Sequence, residues 1–161
     1  MTEDTIRENV LQIIGDGATR IAQAYAQFGN LSAMLLGQTS SALQLGLFRP
    51  LALESALYLT FLMESKGNRQ TSLVLDETQH MAEEAGYEAV AFTEETWESY
   101  RKADDAQELF CTRCQDIVAH DPLWMSTQAR KTKPQATISD PGYIAIMQVA
   151  EALEKIASDP N

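Results

Sequence analysis

The chain has 161 residues, 45% apolar and 22% charged, and its 23 acids against 12 bases give a formal net charge of −11. That is enough chain for one domain, or one domain with a tail, and enough apolar content to exclude disorder throughout. The acidity excludes nucleic-acid phosphates and anionic membranes as partners of the bulk surface, because like charges repel.

The opening Met1-Thr2-Glu3-Asp4 has no basic n-region and no apolar core, so no secretory signal is expected. No lipidation motif is visible at either end. Cys111 and Cys114 are the only cysteines and sit three apart, which excludes a disulfide framework and points to the cytoplasm.

Residues 5–28 read as the first helix. Val10, Ile14, Gly17, Ile21, Ala24, Phe28, Leu31 and Leu35 recur at alternating spacings of four and three, a heptad-like stripe. Gly17 and Ala24 on that seam would let another helix approach closely. The candidate interaction residues are therefore Val10, Ile14, Ile21, Phe28, Leu31 and Leu35, and the partner expected is a second copy or another helical protein.

From Ile21 to Phe48 there are 28 residues without a charge. That length could cross a membrane. Gln23, Gln27, Asn30, Gln38, Thr39, Ser40, Ser41 and Gln44 would each need a partner in lipid, which favours an interior or intersubunit helix instead.

The order Asn9-Val10, Ile14-Gly15-Asp16, Ala18, Ala22 and Tyr25 resembles the opening of the R-body (refractile inclusion body) structural proteins. In that family a V-L-G-D-x-P-A stretch precedes a charge-free helix rich in Ala, Gln, Gly and Leu. Gly17-Ala18 stands where the family has a nearby Pro, and the resemblance covers residues 9–48 only. It implies helical self-assembly of a bacterial type and assigns no site residue.

Arg49-Pro50 is expected to restart the chain, with Pro at the first position of a helix over residues 50–65. Leu53, Leu57, Tyr58, Phe61 and Leu62 cover more than one face, so this helix should be central. Lys66-Gly67-Asn68 should end it. Thr71 or Ser72 should cap a helix to Ala85, stopped by Gly86, with Val74, Thr78, Met81 and Ala85 inward. Tyr87–Phe92 reads as an extended connector. Thr93 then opens a helix of about 25 residues, with Trp97, Tyr100, Phe110, Cys114 and Ile117 inward, closed by Asp121-Pro122. Residues 126–139 form a polar, basic loop in which Arg130, Lys131 and Lys133 weaken the exclusion of phosphates locally. Asp140-Pro141 caps a last helix to about Ala157, with Tyr143, Ile146, Met147, Ala150, Leu153 and Ala157 inward.

The reading is all-α: a helical bundle, or an elongated assembly subunit, of five to six helices. Its domain plan is a helical domain over 1–125, a linker over 126–139, and a helix over 140–158 packing on the same domain.

The charge is uneven. Residues 1–80 hold 8 acids and 5 bases, 81–121 hold 11 and 3, and 122–161 hold 4 of each. A solvated helix face accounts for the acidic segment; an alternative is an acidic regulatory module that docks a basic partner there.

Two constellations carry potential chemistry. Glu77-x-x-His80 puts a carboxylate and an imidazole on one helical face, an element that di-iron bundles need twice and that occurs once here. Cys111-x-x-Cys114 could share a soft metal with His80 and His120, although Cys114 falls on the apolar stripe, where packing accounts for it. The acid pairs Glu83/Glu84, Glu94/Glu95 and Asp104/Asp105 are sequence neighbours and point apart on a helix. There is no nucleophile elbow, phosphate-binding glycine loop or dinucleotide fingerprint, so neither catalysis nor a cofactor is expected. Non-enzymatic self-assembly or protein interaction through the uncharged N-terminal helices is the leading expectation. An acidic docking module and a metal-binding helical protein are the alternatives.

Overall fold

A computed structural model describes residues 3–28, 40–128 and 141–158. Over these residues the protein is an all-α bundle with no strand. Its helices are α1 (Glu3–Phe28), α2 (Ser40–Ser65), α3 (Thr71–Glu84), α4 (Ala89–Lys102), α5 (Ala106–Ala119), α6 (Pro122–Gln128) and α7 (Pro141–Ala157).

The middle of the bundle is α2. Every residue from Leu51 to Met63 is buried, because α1, α3, α4, α5 and α7 all pack around it. An all-round apolar helix belongs in such a place. Its buried hydroxyls turn back on the helix: Ser55 Oγ donates to Leu51 O and Thr60 Oγ1 to Leu57 O. Thr60 also accepts from Trp97 Nε1 of α4 at 3.2 Å. The window Leu45–Ser65 is long and apolar enough to cross a membrane, yet 72% of it lies inside the bundle.

Pro50 does not restart the chain as expected; α2 runs straight through it. Proline deletes the hydrogen bond to the Gly46 carbonyl. Gly46, Phe48, Arg49 and Pro50 are all exposed, so one side of this turn of α2 is open to water.

Both glycine stops occur where the sequence places them. Gly67 and Gly86 have φ of +67° and +91°. Each is the left-handed residue of a Schellman turn: Asn68 N donates to Met63 O and Gly67 N to Glu64 O, then Tyr87 N to Ala82 O and Gly86 N to Glu83 O. The inner face of α3 departs from expectation at its end: the buried set is Val74, Thr78 and Ala82, with Met81 half-buried and Ala85 exposed.

Two further expectations are corrected. Tyr87–Phe92 is not extended; α4 begins inside it, at Ala89. The long helix from Thr93 is two helices, broken at Ala103–Asp105. Asp105 accepts from Gln107 N and Glu108 N, and this cap offers the backbone an alternative to helix continuation. The break lets Trp97 and Tyr100 of α4, and Phe110, Cys111, Cys114 and Val118 of α5, all face the core. Ile117, expected inward, is half-buried.

Asp121 also does more than close a helix. Its Oδ1 accepts from Leu123 N and Trp124 N and so starts α6, which carries helical structure into the expected 126–139 loop as far as Gln128. The rest of that loop, and the expected Asp140 cap, lie outside the described residues. The last helix, α7, packs on α1, α2 and α5 through Ile146, Val149, Ala150, Leu153 and Ala157. It belongs to the same bundle as the N-terminal helices.

Candidate binding cleft

The six expected interaction residues fare unequally. Val10, Ile14 and Ile21 are buried in the protein's own core, where α1 packs against α2 and α7. The close approach expected at Gly17 is made by Val149 of α7. These three residues are therefore not a free surface for a second copy: the stripe is satisfied within the chain. The Phe28 side chain, Leu31 and Leu35 lie outside the described residues.

The expected metal set is not gathered either. His80 Nε2 sits 2.9 Å from Glu84 Oε1 on the exposed face of α3. Its sequence partner Glu77 turns instead to Arg7 of α1, 3.4 Å away. His120, at the end of α5, is exposed, with Nδ1 2.7 Å from Asp116 O. Cys111 and Cys114 are buried, and burial pushes both thiols up, Cys114 far up. High-pKa buried thiols are inert packing groups. Among the described residues no three His, Cys, Asp or Glu side chains form a metal-holding group.

The acids of residues 81–121 are exposed except for Asp121, as a solvated face would be. Arg101 ties Glu94 and Glu98, and its hydrogen bond lowers the Glu98 carboxyl.

One acid behaves differently. Glu54 lies in the fully buried stretch of α2, at 4% exposure. A carboxylate there requires partners, and two helices supply them. Tyr100 of α4 donates its hydroxyl to Glu54 Oε2 at 2.6 Å, and Arg113 of α5 donates Nε to the same oxygen at 2.8 Å. The Arg113 guanidinium also lies 6.0 Å over the Tyr100 ring. Burial pushes the Tyr100 hydroxyl well above its ordinary range, and the Glu54 charge adds to this. Burial alone would lower Arg113, but the hydrogen bond and charge of Glu54 reverse the direction and hold it protonated.

This network borders a cleft of about 490 Å³. Its apolar walls come from Ala52, Leu53 and Leu57 of α2, Met81 of α3, Phe92 of α4 and Ile117 of α5. Phe48, Arg49 and Pro50, in the exposed stretch of α2, lie along the opening with Glu84 and Tyr87. The Tyr87 ring is stacked on Phe92 at 3.9 Å. The Schellman turn at Gly86 sets this corner, because the chain leaves the α3 axis there and carries Tyr87 with it. Glu54 and Arg113 are the polar groups of the inner wall. Among the described residues, Glu54 Oε1 and the two Arg113 Nη groups have no hydrogen-bond partner.

Sequence reasoning missed this site. The available signal was Glu54 itself, the one charge between Pro50 and Met63 in a helix too apolar to leave an acid unpaired. No family model, curated protein or solved structure matches the chain.

Proposed function

We propose that this chain is a non-enzymatic helical binding protein that takes its ligand in the cleft between α2, α3, α4 and α5. The observation that carries the reading is an ion pair between buried Glu54 and half-buried Arg113, with unused hydrogen-bonding capacity, at the wall of a largely apolar cavity. Its volume of about 490 Å³ falls within the range of small-molecule sites. Few, convergent polar groups on apolar walls orient a ligand, whereas a catalytic site needs groups poised to exchange protons or attack. Here the nearby Tyr100 and Cys114 are held firmly protonated by burial.

N-phenyl-1-naphthylamine, a dye that brightens in apolar surroundings, tests this reading. Saturable binding with one site per chain is expected. Ala85→Trp, at an exposed position on the cleft wall, should fill the cavity and abolish binding while leaving the circular dichroism unchanged. Absence of saturable binding, or binding untouched by the tryptophan, rejects the cleft as a site.

A second reading is self-association through the exposed stretch of α2. Leu45 is 77% exposed and Phe48 lies nearby, within the charge-free stretch that resembles the R-body proteins. Two copies facing each other there meet no like-charge repulsion. Sedimentation equilibrium at tens of micromolar should then show an oligomer that Leu45→Glu dissociates. A clean monomer rejects it.

A further inference from the structure

We propose that the cleft selects an uncharged amphiphile: an apolar body with a single neutral head that both donates and accepts hydrogen bonds, such as a primary alcohol or primary amide. This rests on the cleft being a binding site and specifies its chemistry.

The charge at the inner wall decides the head group. Glu54 and Arg113 neutralise each other at 2.8 Å, so the polar end of the cavity is net neutral. It is not featureless, however. Glu54 Oε1 is an acceptor and the Arg113 Nη groups are donors, and among the described residues none of them has a hydrogen-bond partner. The Tyr100 hydroxyl is already committed to Oε2, so it does not compete for the ligand.

A carboxylate head could take the Arg113 donors, but it would then lie beside the Glu54 carboxylate, with no second cation to offset it. The other basic residue of the cleft, Arg49, is exposed at the opening rather than at the inner wall. An ammonium head could take Oε1 but would lie against the Arg113 guanidinium. Either ion would give up its hydration and meet one attractive and one repulsive neighbour at similar range. A hydroxyl or primary amide donates to Oε1, accepts from Nη, and brings no charge into the wall. The apolar body then covers Leu53, Leu57, Met81, Phe92 and Ile117. Once the ligand's body covers these polar groups, a head that leaves one of them unpaired is disfavoured.

Four ligands with the same ten-carbon body separate the possibilities: decan-1-ol, decanamide, decanoate and decylammonium. Each is used to displace N-phenyl-1-naphthylamine below its micelle-forming concentration. The alcohol and the amide should displace dye at concentrations about tenfold lower than either ion. Glu54→Gln removes the negative charge and keeps the shape, so decanoate should gain about tenfold relative to decan-1-ol. Arg113→Gln, at a partly exposed position, should instead favour decylammonium. Each variant is read only as a ratio between ligands, and the wild-type ranking decides the proposal even if neither variant folds. Equal displacement by all four, or decanoate strongest in the wild type, overturns the head-group assignment and leaves the cleft standing as a site. Failure of the dye to bind, or binding indifferent to Ala85→Trp, removes the site and this inference with it.

Discussion

Tyr100 donates its hydroxyl to Glu54 Oε2 at 2.6 Å across 46 residues of chain, and the same oxygen receives Arg113 Nε from 59 residues away. One carboxylate oxygen thus fastens α2, α4 and α5 together. Loss of the donors should be unequal in cost. Arg113→Ala strands a buried carboxylate and should destabilise by about 2–4 kcal/mol. Tyr100→Phe removes one charge-assisted hydrogen bond and should cost about 1–2 kcal/mol. Urea denaturation of the two variants checks the order. Equal losses would mean that Glu54 is wetter than its burial indicates.

Tyr58 offers the opposite case. It is fully buried between Phe110, stacked at 4.6 Å, and Tyr100 at 5.2 Å, and its hydroxyl finds no hydrogen-bond partner. Removing that hydroxyl deletes an unpaid desolvation cost and keeps the ring. Tyr58→Phe should therefore be neutral or stabilising by up to about 1 kcal/mol. A midpoint that falls as far as that of Tyr100→Phe would show that the hydroxyl has a partner after all.

Three helical glycines should respond differently to alanine. At Gly15 the nearest obstacle to a new methyl is Phe48 Cζ at 3.9 Å, an ordinary contact. Gly15→Ala should thus gain helix propensity, about 0.5–1 kcal/mol. At Gly17 the methyl meets Val149 Cγ1 at 3.1 Å, so the same gain is offset by a small shift of α7, and the change should be near neutral. At Gly142 it would drive into the Tyr25 ring, and Gly142→Ala should lose about 1–3 kcal/mol. Thermal melts of the three variants should rank them in that order.

The helical class and both glycine stops were legible in the sequence because they rest on local rules: apolar periodicity and left-handed caps at Gly67 and Gly86. The expectations that failed required knowledge of what surrounds a residue. Pro50 is tolerated because its turn of α2 faces solvent, which periodicity does not reveal. The break before Asp105 needed a choice between a capping side chain and helix continuation, and the surrounding Trp97, Tyr100 and Phe110 spacing is compatible with both. The α1 stripe was legible from Val10 to Ile21, but a stripe does not say whose helix covers it, and α2 and α7 of the same chain do. The cleft was invisible for a similar reason. Glu54 and Arg113 are 59 residues apart, on α2 and α5, and meet only in the folded bundle.

Alkaline pH should weaken the fold. Cys114 and Tyr100 are held above their ordinary values, 9.0 and 10.0, first by burial and then by Glu54. Below pH 9 both carry their protons in the folded and unfolded states alike, and stability is unaffected. Above it the unfolded chain releases protons that the folded protein retains, so stability falls by about 1.4 kcal/mol per pH unit for each such group. Urea midpoints measured from about pH 8 to about pH 10.5 should decline with that sign. Tyr100→Phe should flatten the upper part of the decline, and Cys114→Ala the lower part. A flat profile in the wild type would contradict the burial of both groups.

Asn68 Nδ2 donates to Ala157 O at 3.0 Å, joining the turn between α2 and α3 to the end of α7 across 89 residues. The same helix supplies Val149 against Gly17 and places Gly142 against the Tyr25 ring. Much of the inward face of α1 is therefore covered by a segment made long after it. During synthesis α1 and α2 can pack on each other as they leave the ribosome, but the part of α1 that faces α7 stays open until residues 141–157 arrive. This helix acts as a clasp, so the bundle should close late, with the apolar side chains that meet α7 in need of shelter until then.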